Sequence, residues 1–341
     1  MKRFFFLAVA ATCLLASCNK TEVVYNDGPQ EIAMMAVTKT ATKAPIAGAS
    51  LDVADYQMAV AAYMAQGDAG NGTFTSGNYF PKTIFSGNRS NSLWTGSRYW
   101  PLTASTINFL AVTQFKSNYP DADMFDQTTV FDATTPASGA TVTLPDNSEY
   151  QLDLLYAAGQ GKCAPNNYPN VDMVFRHALS WIFFTVKTND AGVNRITVNS
   201  ITLNDAIYNG TLTLNNLEYD TTETYQSSEA AIEASWAVAE SDRKDLNVTS
   251  NPVNCISTAQ NFGDEGLLVV PGTQTSFTID YTITHETGVT NTLQYTYVLD
   301  NRFNWEMGKK YIYNITLNLN EIKIDAEVEN WEDVVNGPTL G

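Results

Sequence analysis

The chain has 341 residues, of which 44% are hydrophobic and 16% charged, so it can bury real cores and is not a disordered polyelectrolyte. Its 36 acidic residues against 19 basic ones give a net charge of −17, and no Lys/Arg cluster offsets it. A surface this acidic repels phosphate backbones, which excludes nucleic acid as a partner.

At the N-terminus, Lys2 and Arg3 precede an apolar stretch, Phe4 to Leu15, that is too short to span a hydrocarbon core of ~30 Å as a helix. This reads as an export signal over residues 1–17. Leu15-Ala16-Ser17-Cys18 resembles the lipobox of bacterial lipoproteins, so Cys18 is the expected acylated N-terminus of the mature chain. Two or more acyl chains give stable anchoring, and the mature protein is expected to start tethered to a membrane. Removing residues 1–17 leaves 17 basic residues against 36 acidic ones, a net charge of −19.

From Asn19 to Pro45 the chain is polar and rich in Thr and Ala, broken by the apolar island Glu31 to Val37. The island could pair as a strand, and linkers surround it, so it reads as a detachable segment. Leu51 to Ala65 is ambiguous: its alanines favour helix, whereas Tyr56, Met58, Val60 and Ala62 alternate as in a strand, and strand is the expectation. Asp121, Asp123, Asp126 and Asp132 imitate a calcium loop, but Phe125 and Asp126 stand where a ligand and the bend glycine should be. Gly159-Gln160-Gly161-Lys162 imitates a phosphate loop without its first glycine and its hydroxyl, since Tyr156 and Cys163 occupy those positions. It reads as a turn.

Trp181 to Val186 is apolar on both faces, as in a central strand covered on both sides. Ser228 to Ala239 is the best helix candidate. Phe277, Ile279, Tyr281 and Ile283 alternate with polar residues, and Leu293, Tyr295, Tyr297 and Leu299 do the same beyond a turn at Gly288, giving a hairpin with one wet face. Tyr311 to Leu319 is apolar at odd positions, and Ile322, Ile324, Ala326 and Val328 are apolar at even ones. The change of parity demands a bulge or bend near Asn320 and Glu321, giving two strands or one strand bent between sheets. Many short strands separated by turn residues argue for β-sandwiches, with the boundary near Asn189 to Asn194.

No catalytic constellation emerges. His177 and His285 lie far apart with no second ligand type at metal spacing, so a lone core histidine is the expected reading, and neither metal nor cofactor is expected. Trp94, Tyr99 and Trp100 could stack on a sugar, though such density is commoner in cores. Cys163 and Cys255 leave a disulfide and two buried free thiols equally open.

Four segments together resemble the fimbrillin family, the subunits of type V pili. They are Trp94-Thr-Gly-Ser-Arg-Tyr-Trp-Pro101 with Ile107 to Ala111, Asp153 to Ala157, Val171 to Ser180, and Trp305 to Tyr313 running on to Trp331. The resemblance implies an all-β chain of two transthyretin-like β-sandwich domains in tandem. Residues 1–17 would be the lipoprotein signal peptide, 18–44 the propeptide with its first strand, 45–190 the N-terminal domain and 191–341 the C-terminal one. It also implies a non-enzymatic, cell-surface pilus subunit made as an outer-membrane lipoprotein precursor. Its partners would be signal peptidase, a surface protease, and other fimbrillin subunits in a homo- or hetero-polymer built by donor-strand exchange.

Carried over by position, the shed strand would include Ile32, Met34 and Ala36, and the cut would fall at Lys43 and Ala44. Well-known members are cut after arginine, and no arginine lies between Arg3 and Arg89 here. Either the protease accepts lysine or the subunit stays uncut as an anchor or cap. Ile322, Ile324, Ala326 and Val328 have the alternation of a donor strand, and equally that of the domain's own last strand. A lipid-anchored glycan-binding adhesin that does not polymerise is the alternative function.

Overall fold

The computed structural model describes residues 28–36, 57–64, 78–88, 93–103, 105–115, 130–131, 140–145, 151–173, 175–190, 195–219, 227–299 and 304–331. Cys18, Lys43, Ala44 and the aspartates 121–132 lie outside them. Among the described residues the chain is all β, with one short 3-10 turn and no α-helix. In the first half the strands are β1 (Glu31–Ala36), β2 (Gln57–Met64), β3 (Asn78–Asn88), β4 (Leu93–Tyr99), β5 (Ser105–Phe115), β6 (Val130–Phe131), β7 (Ala140–Thr143), β8 (Asp153–Cys163), β9 (Val171–Met173), β10 (Arg176–His177) and β11 (Ser180–Lys187). They continue as β12 (Arg195–Ile207), β13 (Asn209–Tyr219), β14 (Ser227–Ala237), β15 (Arg243–Asn247), β16 (Val253–Asn254), β17 (Gln260–Val269), β18 (Gly272–Thr273), β19 (Ser276–Thr284), β20 (Thr290–Val298), β21 (Asn304–Trp305), β22 (Lys309–Leu317) and β23 (Ile322–Asn330).

The largest sheet runs β6-β7-β13-β14-β8-β5-β2-β3-β4-β1-β9, with β10 on β8, and it curls so that its middle strands are covered on both faces. On one face Met58, Val60, Phe109, Ala111 and Leu155 meet Ile32, Met34, Trp94, Val171 and Met173. On the other, Ala59, Ala61, Leu110, Val112 and Leu154 meet Val142, Leu144, Leu212 and Leu214. Double coverage explains why β2 is an unbroken apolar run and resolves its ambiguity: it is a strand over Gln57–Met64, with alanines where two layers crowd it.

Two further sheets, β17-β11-β22-β23 and β15-β12-β19-β20 with β16 on β12, enclose a second core around Phe184, Phe262, Phe277, Trp305 and Tyr313. Strand β11 lies between β17 and β22, parallel to β22. Ile182, Phe184 and Val186 are fully buried, while Trp181 and Phe183 on its second face are only half-buried beneath the Lys310 ammonium. The β19–β20 hairpin is present as expected, pairing Phe277 with Tyr297 and turning at Gly288, whose φ of +82° suits glycine. Its wet face carries the pairs Thr278–Thr296, Asp280–Gln294 and Thr282–Thr292.

Two expectations are corrected. Ser228 to Ala239 is not a helix: β14 pairs with β13 and β8, and the Trp236 indole donates to the Ala178 carbonyl at 2.8 Å, so tertiary pairing overrides alanine's helix propensity. Residues 159–162 are not a turn but the interior of β8, paired with β5. Their glycines permit close approach, because a Cβ on Gly159 would lie 2.7 Å from the Asp172 carbonyl and one on Gly161 would collide with the Trp100 ring. The parity change near Asn320 falls at a bend over Leu319 and Asn320 and gives two strands, β22 and β23, as expected; the Asn318 amide on the Glu321 carbonyl closes this hairpin turn, which sets Ile315 opposite Ile324 and Tyr313 opposite Ala326.

Replacing Gly161 by alanine should therefore displace Trp100 and lower stability by roughly 1–3 kcal/mol, the usual range for overpacking, as read from the urea midpoint.

Candidate assembly strand and groove

Strand β1 is short, and nearly all of its attachment is main chain and apolar burial. It pairs antiparallel with β4, setting Ala33 opposite Thr95 and Met34 opposite Trp94, and parallel with β9, setting Met34 beside Val171 and Ala36 beside Met173. It is thus an interior strand contributed by an N-terminal segment. Ile32 and Met34 are 0% exposed, Ala33 is buried and Met35 half-buried. Burying Ile32 and Met34 is worth about 1.5–3 kcal/mol each. Polar tethers are few: Glu31 Oε1 accepts from the Ser97 amide at 2.9 Å, and the Trp100 amide donates to the Gln30 carbonyl at 2.8 Å.

Of the two walls of the groove that β1 fills, β4 is also held by β3, whereas β9 has its one ladder with β1 and otherwise packs on β8. Strand β9 crosses directly over Gly159 of β8, and Trp100 lies over Gly161 and packs edge-on against Phe109. Trp94 and Trp100 are 2% and 3% exposed, so these two candidates for sugar stacking are core residues.

Strand β23 is attached differently. It pairs along one edge with β22 and has no other strand partner among the described residues. Ile322 and Ile324 are half-buried against the second core, Ala326 is exposed and Val328 is 54% exposed, so its apolar row is only partly covered. Its other row, Lys323, Asp325, Glu327 and Glu329, faces water, and the Lys323–Asp325 contact at 3.6 Å is an exposed pair worth little.

Just beyond β23 the chain is anchored. Trp331 is buried, its amide donates to the Gly308 carbonyl at 2.9 Å, and its ring stacks on His177 at 3.9 Å and tilts against Trp181 at 5.0 Å. Asp153 at the start of β8 bonds the His177 Nδ1 at 2.5 Å. Burial pushes the Asp153 carboxyl up, and the neighbouring imidazole partly opposes the shift. An Asp–His pair is the orienting half of a hydrolytic triad, but here His177 Nε2 bonds no hydroxyl or thiol. The Ser180 hydroxyl is committed to the Glu306 carbonyl at 2.8 Å, so the pair supports a tryptophan, not a nucleophile. His177 is buried as expected, but the pairing with Asp153, 24 residues away, was invisible in the sequence. The one hint was an aspartate opening a strongly apolar strand.

Among the described residues no group of His, Cys, Asp and Glu is placed to hold a metal ion, and no helix is long and apolar enough to cross a membrane. Cys163 and Cys255 are both free and buried. Burial raises both thiols, Cys255 to about 11. Neither should react with a thiol reagent at neutral pH until the chain unfolds. Because the Cys255 pKa lies above its unfolded value of 9.0, its contribution to stability is constant below pH 9 and lost as pH rises toward about 11. A Cys255→Ala variant should lack that alkaline loss, as measured by denaturation across the range.

These features define a class: an all-β sandwich protein carrying one buried N-terminal strand and one weakly covered C-terminal strand. A family model described as fimbrillin-like matches residues 32–331, and the chain belongs to that family. Among solved structures, a fimbrial protein from Bacteroides vulgatus ATCC 8482 is similar at a TM-score of 0.56 and 16% identity, covering 89% of this chain and 99% of that one. A fimbrial assembly protein from Parabacteroides distasonis ATCC 8503 gives a TM-score of 0.38 at 12% identity, covering 89% and 98%. No curated protein sequence matches significantly.

Proposed function

We propose that this protein is a structural subunit of an adhesive surface pilus, exported as an outer-membrane lipoprotein acylated at Cys18 and polymerised by strand replacement. Two transthyretin-like sandwiches are the frame of this reading, with β13 and β14 completing the large sheet and β11 lying in the second core's sheet. A surface protease cuts at Lys43–Ala44 and releases the segment that carries β1. The groove between β4 and β9 then accepts an alternating apolar strand from a neighbouring fimbrillin subunit. The Ile322, Ile324, Ala326 and Val328 row is the donor.

The observation that carries this reading is the position of β1. A strand interior to a sheet, with Ile32 and Met34 fully buried, belongs to a segment that precedes the rest of the fold. Its loss uncovers two strand edges and an apolar trough at once. Main-chain pairing by an incoming strand restores the ladder, and alternate side chains refill the trough. Ile322, Ile324 and Val328 at ~1.5–3 kcal/mol each supply roughly 4.5–9 kcal/mol before ordering costs, with a smaller term from Ala326, enough for a long-lived joint. The donor leaves an edge position in which Ala326 and Val328 are already exposed, and the packing given up there is the half-burial of Ile322 and Ile324.

N-terminal sequencing of the protein from purified surface filaments tests the proposal. A start at Ala44 supports it, and filaments that lack this chain, or contain it only with an acylated Cys18, overturn it.

A further inference from the structure

We infer that the outer edge of β20 is a self-association seam, by which two copies of the intact chain join their β15-β12-β19-β20 sheets across a two-fold axis. This goes beyond strand replacement and does not depend on it, since the groove of β1 is not involved.

Exposed strand edges are usually protected by charge, proline, a bulge or a covering segment. Strand β20 reads Thr-Asn-Thr-Leu-Gln-Tyr-Thr-Tyr-Val, with no charged residue and no proline, in a chain of net charge −17. Its pairing with β19 runs over nine consecutive residue pairs without a bulge, so its outer edge is straight. Among the described residues it pairs with β19 alone. Leu293 is 42% and Val298 72% exposed, and Tyr295 and Tyr297 are only half-buried.

The strand is also complementary to itself. Antiparallel pairing about Gln294 sets Leu293 against Tyr295 of the second copy and Tyr295 against its Leu293, giving two aliphatic–aromatic cross-strand contacts on the core-facing row. On the other row Thr292 meets Thr296 and the two Gln294 amides meet on the axis. Each threonine hydroxyl already bonds one hydroxyl on β19 but keeps capacity for another partner. Of the other long edges of this sandwich, β17 carries Asp264 and Glu265 on a ladder with a register shift, and β23 carries Lys323, Asp325, Glu327 and Glu329. Pairing β23 with itself about Ala326 sets Asp325 against Glu327, and pairing about Ile324 gains Lys323 against Asp325 but sets Glu321 against Glu327. Two copies of an acidic chain thus meet most easily at their neutral edge, and the two-fold closes the contact, as an isologous interface requires.

Analytical ultracentrifugation of the intact, uncleaved chain is the test. The expected result is a concentration-dependent dimer that Gln294→Lys weakens by about tenfold or more, because it places two ammonium groups on the axis. Mixing Gln294→Lys with Gln294→Glu should restore dimers as the mixed species only, and Gln294→Cys should give a covalent dimer on oxidation. Three results overturn the inference: a chain monomeric up to about 1 mM, a millimolar limit below which no meaningful affinity remains; a dimer indifferent to Gln294→Lys; or amide protection of β20 that appears only after cleavage, which would assign the edge to an incoming donor strand.

Discussion

On the proposed reading, Lys43→Gln should stop filament growth while leaving the folded chain intact, because Lys43 is the proposed cut site between β1 and β2 and the other basic residues between Arg3 and Arg89 are Lys20, Lys39 and Lys82. Electron microscopy of cells and gel analysis of surface polymers check this, and a Lys39→Gln control should polymerise normally. The size of the effect follows from occupancy: while Ile32 and Met34 fill the trough, an incoming strand must first displace about 3–6 kcal/mol of apolar burial together with two ladders of hydrogen bonds. Conversely, the cleaved chain held as a monomer should lose stability by a similar amount and regain it on addition of a peptide spanning residues 29–37. Growth of Lys43→Gln filaments at the normal rate would place the cut elsewhere or remove it from the mechanism.

Trp331→Ala should be the most damaging single change near the C-terminal strand, costing about 3–5 kcal/mol, as expected for a buried tryptophan. The reason is local. Strand β23 has one strand partner, and the stacked indole is the anchor that holds the chain beyond it against His177, Trp181 and the Gly308 carbonyl. Val328→Ala, at a side chain 54% exposed, should cost less than about 1 kcal/mol. If β23 is the donor, Trp331→Ala should also speed its release. Hydrogen exchange would then show amide protection lost over Ile322–Asn330 while β2, β5 and β8 stay protected. Equal loss of protection across the molecule would show that the indole supports the whole fold and not this strand.

Comparison of particular elements shows where sequence reasoning succeeds. The β19–β20 hairpin was legible because alternation and a turn glycine are local signals, and the same holds for the apolar rows of β22 and β23. The island at Glu31 was legible as a candidate strand from its apolar run between polar linkers. Strand β14 misled because its alanines speak for helix in isolation, and only pairing with β13 and β8 outweighs them. The Gly159 segment misled in the opposite way. Its glycines look like a loop, yet they are needed because β9 and Trp100 press on a strand from outside.

Alternation, charge balance and the apolar content of each segment are properties of neighbours along the chain, and from them the all-β class and the strands β1, β2, β11, β19, β20, β22 and β23 followed. Which strand lies beside which is set by contacts between residues far apart in sequence, and no local period encodes those contacts. The wedge of β1 between β4 and β9, and the stack of Trp331 on a histidine held by Asp153, therefore came into view only in the folded chain.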